Sequence, residues 1–221
     1  LQKNPEVYKK TAFILNYDEG GQFFDHAVPP TPNTNDGDGK STIVTDGEIT
    51  TESQETIPKG NPIGLGFRVP LIIVSPWTRE KGGAVYSEVV DHTSIIQFIE
   101  KRFDVKCPNI SPWRRSITGD LTAAFDFDSA PDYTWPLLPD TSDYVKNADQ
   151  ECATKPSPVV PRVQKLPVQE NGTKKARALP YKFVVEDSIS DDGQSITLSM
   201  KNLGLTGVVF LVYDYASVRK T

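Results

Sequence analysis

Two short apolar runs set the frame for any fold. Residues 11–17 (TAFILNY) and 69–75 (VPLIIVS) are too short for stable helices and are rich in β-branched and aromatic side chains. Between them lies a long polar stretch, PPTPNTNDGDGKSTIVTDGEITTESQETIPKGN at 29–61, whose prolines, glycines and Asx residues forbid a long helix. Near-continuous apolar runs of this kind read as buried strands, the second as a central one. A third feature follows at once. In VVDHTSIIQFIEKRFDV, Ile95, Ile96, Ile99 and Phe103 recur at helical spacing and Asp91 suits an N-cap, so residues 92–103 read as an amphipathic helix. Strand, long loop, strand, loop and helix make the rhythm of a layered α/β fold.

The rest divides by composition. Residues 104–140 hold one short helix at best, with aromatics and prolines wrapping an irregular segment onto a domain spanning 1–140. Residues 141–176 read as a linker, extended where Pro recurs. In 177–221 the pattern becomes that of a small antiparallel β domain, with strands expected at 181–186, 195–201 and 208–214 around the turns SDDGQ and NLGLTG. A net charge of −5, with no run of basic residues longer than two, argues against a binder of nucleic-acid backbones. No apolar stretch is long enough to span a bilayer. Cys107 and Cys152 fit neither a CxxC nor a Cys/His zinc pattern, and either a disulfide or two thiols suits them.

Candidate chemistry concentrates in FILNYDEGGQFFDH at 13–26. An apolar strand that ends in Asp18 and Glu19 puts two carboxylates at the rim of a sheet, where open α/β folds hold their ligands. Where the chain turns through Gly20 and Gly21 both can swing toward one point, and such close carboxylates repel unless a cation or a proton sits between them. A hard divalent metal is the simple answer, while a solvated acidic turn is the bland one. His26 follows Asp25, and His92 sits at a helix start, where its charged form is disfavoured. Each suits either a packed histidine or a functional one. NDGDG at 35–39 is like a calcium loop but lacks the Glu at its twelfth position. Arg114 and Arg115 suit either a phosphate clamp or internal pairing with Asp104 or Asp120.

Taken together, YDEGGQFFDHAVPP, GLGFRVPLIIVSPW, VVDHTSIIQFIEKRF and NISPWRRSITGDLTAAFDF, in that order, resemble the closing half of the catalytic domain in the bacterial phosphocholine-specific phospholipase C family. That family lies within a wider phosphoesterase group that also contains acid phosphatases. ALPYKFVVED and ITLSMKNLGLTGVVFLVYD resemble the first small β domain that follows in those phospholipases. The resemblance implies the C-terminal half of an alkaline-phosphatase-like α/β/α sandwich, followed by part of a small antiparallel β domain. It implies Asp18 and Glu19 as ligands of a divalent metal ion, and His26 and His92 as catalytic candidates. The glycines sit one place earlier than in the family's usual Asp-Glu-X-Gly-Gly, a departure at Gln22. The implied reaction is hydrolysis of the phosphodiester of phosphocholine lipids, with a Ser or Thr nucleophile from an amino-terminal part outside these residues. An isolated chain without that part is expected to show no turnover. The lipid would be met by peripheral membrane contact in a secreted or periplasmic setting. An aromatic box for the quaternary ammonium would draw on Trp77, Trp113, Trp135, Tyr86 or Tyr133. Two other readings stay open: a phosphatase of the same group acting on monoesters, and a non-catalytic binding protein that kept the fold.

Overall fold

A computed structural model describes residues 1–21, 27–34, 40–53, 57–78, 85–135, 137–155, 157, 159–160, 162–163, 171–172 and 178–212. The NDGDG segment and His26 lie outside the described residues. The fold is mixed α/β, with two small antiparallel sheets among the described residues. After a short helix α1 (Pro5–Tyr8), strand β1 (Phe13–Asn16) pairs antiparallel with β2 (Leu71–Val74), Phe13 opposite Val74 and Asn16 opposite Leu71. Both apolar runs are therefore strands. The expectation that they are buried is corrected: Phe13, Leu15 and Ile72, which share one face, are 46%, 44% and 48% exposed. A run apolar on both faces needs a layer on each side, and among the described residues only one face has partial cover.

The polar stretch between the strands is tied down by its own backbone. Residues 48–50 and 60–63 form a narrow hairpin-like loop, with an Ile49–Pro62 bridge, Thr50 N–H on the Asn61 carbonyl at 2.9 Å and Ile63 N–H on that of Glu48 at 2.8 Å. Its far end is anchored at Leu65, whose N–H bonds the Pro30 carbonyl at 3.2 Å.

Helix α2 (His92–Phe103) begins at the residue expected from its cap. Asp91 accepts from Thr93 N–H at 2.9 Å, and Ser94 returns a bond to the Asp91 N–H at 3.1 Å, a reciprocal capping box. The helix stops at Asp104, which adopts the left-handed conformation (φ 53°) that Asp tolerates better than most residues. Helix α3 (Pro112–Ile117) starts with Ser111 as cap and Pro112 in its first turn, and a single 3₁₀ turn (Thr122–Ala124) follows. Trp113, Ile117, Leu121 and Phe125 from this segment, with Ile110 and Tyr8, are the buried apolar core. The irregular 104–140 segment thus supplies most of the interior. An aromatic series Phe98–Phe125–Phe127–Trp77, with centroids 4.8, 5.4 and 5.6 Å apart, joins α2 to the end of β2.

Two further expectations change. The linker at 141–176 is helical in its first part, α4 (Tyr144–Thr154), which exposes every residue; the prolines begin only at its end. In the terminal segment, β3 (Phe183–Ile189) and β4 (Ile196–Asn202) form a hairpin, but residues 208–212 are not a strand. Instead this stretch lies on other partners. Phe210 stacks edge-on with Phe183, and the Gly207 N–H bonds the Ser116 carbonyl of α3 at 2.6 Å. A side chain at 207 would meet that carbonyl at 2.8 Å, so glycine permits the seam. Both cysteines are free thiols.

Candidate functional site

The carboxyl end of β1 carries the predicted carboxylates. Tyr17 continues the ladder with its N–H on the Pro70 carbonyl at 3.1 Å, and the chain then turns. Asp18 closes that turn by accepting the Glu19 N–H at 3.0 Å. Gly20 follows against the Arg68 carbonyl, which a β-carbon would approach to 2.7 Å, and Gly21 has φ 64°. One glycine thus allows close backbone approach and the next allows the left-handed turn. Both acidic side chains are exposed. Neither forms an ion pair among the described residues.

His92 comes to this turn from far along the chain. Its Nε2 lies 3.0 Å from the Tyr17 carbonyl. A carbonyl only accepts, so Nε2 carries a hydrogen, and in a neutral ring Nδ1 is then the acceptor nitrogen. The structure therefore ties His92 to the backbone carbonyl that directly precedes Asp18 and Glu19, without joining the three side chains in a metal-holding group among the described residues. His26 lies outside the described residues, so the fourth candidate adds nothing to this geometry.

The donor chemistry is that of a hard-cation site in part. Two carboxylates offer oxygen ligands of the kind divalent calcium, magnesium and manganese take. Among the described residues no third His, Cys, Asp or Glu joins them in a metal-holding group. The pair fits such an ion as part of a ligand set.

A second set of carboxylates was not legible as a site. Arg114 on α3 donates from Nε and Nη2 to the two oxygens of Glu48 at 2.8 and 2.6 Å, from Nη1 to Asp91 at 2.5 Å, and from Nη2 to the Gly64 carbonyl at 2.9 Å. Ser111 adds a 2.6 Å bond to Glu48. Side-chain exposures of 15% for Arg114, 3% for Glu48 and 8% for Asp91 mark a buried cluster. Although burial opposes its charge, the two carboxylates hold the Arg114 guanidinium above its ordinary pKa. Arg114 is thus committed internally, and the partners expected for the two arginines are corrected. Arg115 takes Glu100 in a two-pronged pair at 2.7 and 2.8 Å, while Asp120 goes to Lys101 at 2.8 Å. Those expected partners were near in sequence; the actual partner Glu48 arrives on a loop more than sixty residues away. Nothing local distinguishes Glu48 in TDGEITT from any solvated loop acid.

The aromatics proposed for a head-group box are largely occupied. Trp113 is core, Trp77 packs on Phe127, Trp135 meets Tyr8 edge-on at 5.1 Å, and Tyr133 faces the Lys9 ammonium at 5.5 Å. Tyr86 donates to Glu88 at 2.9 Å, and burial together with that carboxylate pushes its phenol well above the ordinary range.

Residues 1–106 match the model of the Phosphoesterase family. The match takes in β1, the acidic turn, β2 and α2. The chain is 45% identical over 216 residues to the "Non-hemolytic phospholipase C" of Burkholderia pseudomallei, covering 96% of this chain and 30% of that protein. It is 44% identical to the protein of the same name from Pseudomonas aeruginosa, covering 97% and 31%, and 39% identical to "Phospholipase C B" of Mycobacterium tuberculosis, covering 81% and 35%. Over residues 1–106 the chain belongs to the phosphoesterase family. It spans about a third of the length of the curated relatives it matches.

Proposed function

We propose that the chain is the part of a metal-dependent phospholipase C that carries two of its acidic metal ligands. The reaction is hydrolysis of the phosphodiester of phosphocholine lipids, phosphatidylcholine or sphingomyelin, to diacylglycerol or ceramide and phosphocholine. The observation that carries the reading is the pair of exposed carboxylates at the carboxyl end of β1, next to the Tyr17 carbonyl that His92 bonds, with no ion pair to either of them among the described residues. The names of the relatives support the reaction class.

Asp18 and Glu19 would hold the ion through oxygen ligands, and His92 would stand beside it. When bound, a divalent ion neutralises phosphoryl charge and lowers the pKa of a nucleophile. The chain's own residues do the rest of the local work. The Gly20–Gly21 turn lets the backbone fold back on Arg68 directly after the two carboxylates. His92, which donates from Nε2 to the Tyr17 carbonyl, would in its neutral form offer Nδ1 as a proton acceptor. The nucleophile belongs to sequence outside these residues, consistent with the share of the relatives that the chain covers. We place the whole within an alkaline-phosphatase-like sandwich, the exposed β1–β2 face being one that a further layer would cover. Export and peripheral lipid contact complete the reading; no helix among the described residues is long and apolar enough to cross a membrane.

The test uses the full-length polypeptide that carries these residues and a chromogenic phosphocholine diester. Asp18→Asn and Glu19→Gln should each abolish metal-stimulated hydrolysis. Retained activity at wild-type metal concentrations would remove the reading. A preference for a simple phosphomonoester over the diester would move it to the phosphatase branch.

A further inference from the structure

The Arg114 cluster touches none of the proposed reacting groups, yet it reaches the acidic turn in a few bonded steps. Arg114 holds Asp91 through one carboxylate oxygen. The other oxygen of Asp91 accepts from the N–H and hydroxyl of Thr93 at 2.9 and 2.6 Å and so starts α2. The next residue, His92, bonds the Tyr17 carbonyl at 3.0 Å, and Tyr17 is covalently joined to Asp18. From the other side the same guanidinium fixes Glu48 and Gly64, the two ends of the hairpin-like loop.

We propose that Arg114, acting with Glu48, is a positioning residue for the acidic turn: it sets where α2 begins, hence where the His92 ring stands, and through the Tyr17 carbonyl the direction in which Asp18 and Glu19 leave β1. The proposal rests on reading that turn as part of a cation site.

Two physical points favour geometry over bulk stability as the role of this cluster. Buried ion pairs are poor stabilisers, because apolar residues of similar volume commonly do as well. What the cluster supplies instead is direction. Four hydrogen bonds leave one planar guanidinium toward three chain segments, an arrangement that a lysine's three-donor point charge cannot copy. The turn needs such direction. It is short, exposed and contains two glycines, and its only long-range side-chain tether among the described residues is the His92 bond. Groups that orient metal ligands from behind typically matter by about 10- to 100-fold in affinity.

The experiment titrates Mn²⁺ into the full-length polypeptide, reading free aquo-ion by electron paramagnetic resonance, with diester hydrolysis followed in parallel. Arg114→Lys keeps the charge and loses the fork. Glu48→Gln keeps the shape and removes a charge, and serves if the lysine variant does not fold. Both should weaken Mn²⁺ about 10-fold or more and raise by the same factor the Mn²⁺ concentration giving half-maximal rate, with kcat recovered at saturating metal. A cluster that only stabilised the fold would leave Mn²⁺ affinity unmoved well below the unfolding temperature. A folded variant with unchanged affinity therefore overturns the positioning role, while Asp18→Asn still abolishes binding. Mn²⁺ binding that survives both Asp18→Asn and Glu19→Gln overturns the cation site itself, and the positioning role with it.

Discussion

Two pairs of carboxylates in this chain differ in one respect. Glu48 and Asp91 are buried and close on Arg114, whose four hydrogen bonds go to them and to the Gly64 carbonyl. Asp18 and Glu19 are exposed, and among the described residues no cation of the chain pairs with them. The first pair has its counter-charge built in, because carboxylates removed from water must be paired. The second keeps its hydration and its freedom to take a cation from outside. The contrast teaches that the fold commits an acid to structure where it provides a counter-charge, and leaves it open to an outside ligand where it withholds one.

The comparison is broken first by exchanging roles. Replacing Asp18 and Glu19 together with Asn and Gln should cut metal-dependent hydrolysis by the full-length polypeptide roughly a thousandfold. Thermal stability should move by less than about 0.5 kcal/mol, as for most surface substitutions. Calorimetry and rate measurements on one preparation check both halves, and a large stability loss would show that the pair is structural.

Arg114→Met should do the reverse to stability. It strands Glu48 and Asp91 in the interior, at a cost of about 3–5 kcal/mol in a urea titration. A loss under about 1 kcal/mol would mean that the cluster is wetter than its exposures of 3% and 8% indicate.

Ser94→Ala isolates one strand of the same web. Ser94 is fully buried and returns the capping-box bond to Asp91, so its removal should cost about 1 kcal/mol and loosen the start of α2. Amide exchange at residues 92–94 reads this directly.

The smallest effect concerns a third pairing, which is partly exposed. The Arg115 guanidinium, with the Cys107 N–H, lowers Glu100 from the ordinary 4.5 to about 2. A carboxyl depressed in the folded state contributes stability above its unfolded value and loses it as pH falls toward the folded one. Melting temperature should therefore decline between about pH 5 and pH 2, and Arg115→Met should flatten that decline. Salt should weaken the effect, as it does for pairs near the surface.

Much of the local structure was legible because it depends on near neighbours. The α2 helix and its Asp91 cap follow from apolar spacing and one capping side chain, and the helix occupies the residues expected of it. Both apolar runs are strands because seven β-prone residues between breakers have few alternatives. What failed were statements about surroundings. The burial of β1 and β2 depends on layers that no local pattern reveals. Residues 208–212 have a strand-like composition, but Gly207 binds α3 and Phe210 packs on Phe183, which competes with a third rung. The helix α4 leaves little trace in the sequence because YVKNADQECAT lacks an apolar stripe and prolines follow it closely.

The acidic turn was readable in DEGG, and its chemistry follows from residue type alone: two carboxylates, then two glycines that free the backbone. The sequence by itself also determined where the main helix begins, since a cap acts over three residues. Only the tertiary structure decided that His92 reaches that turn, and which acids are spent on an arginine. Those outcomes are set by contacts across dozens of residues, where the folded path of the chain, and not its local preferences, fixes which charges meet and which stay in water.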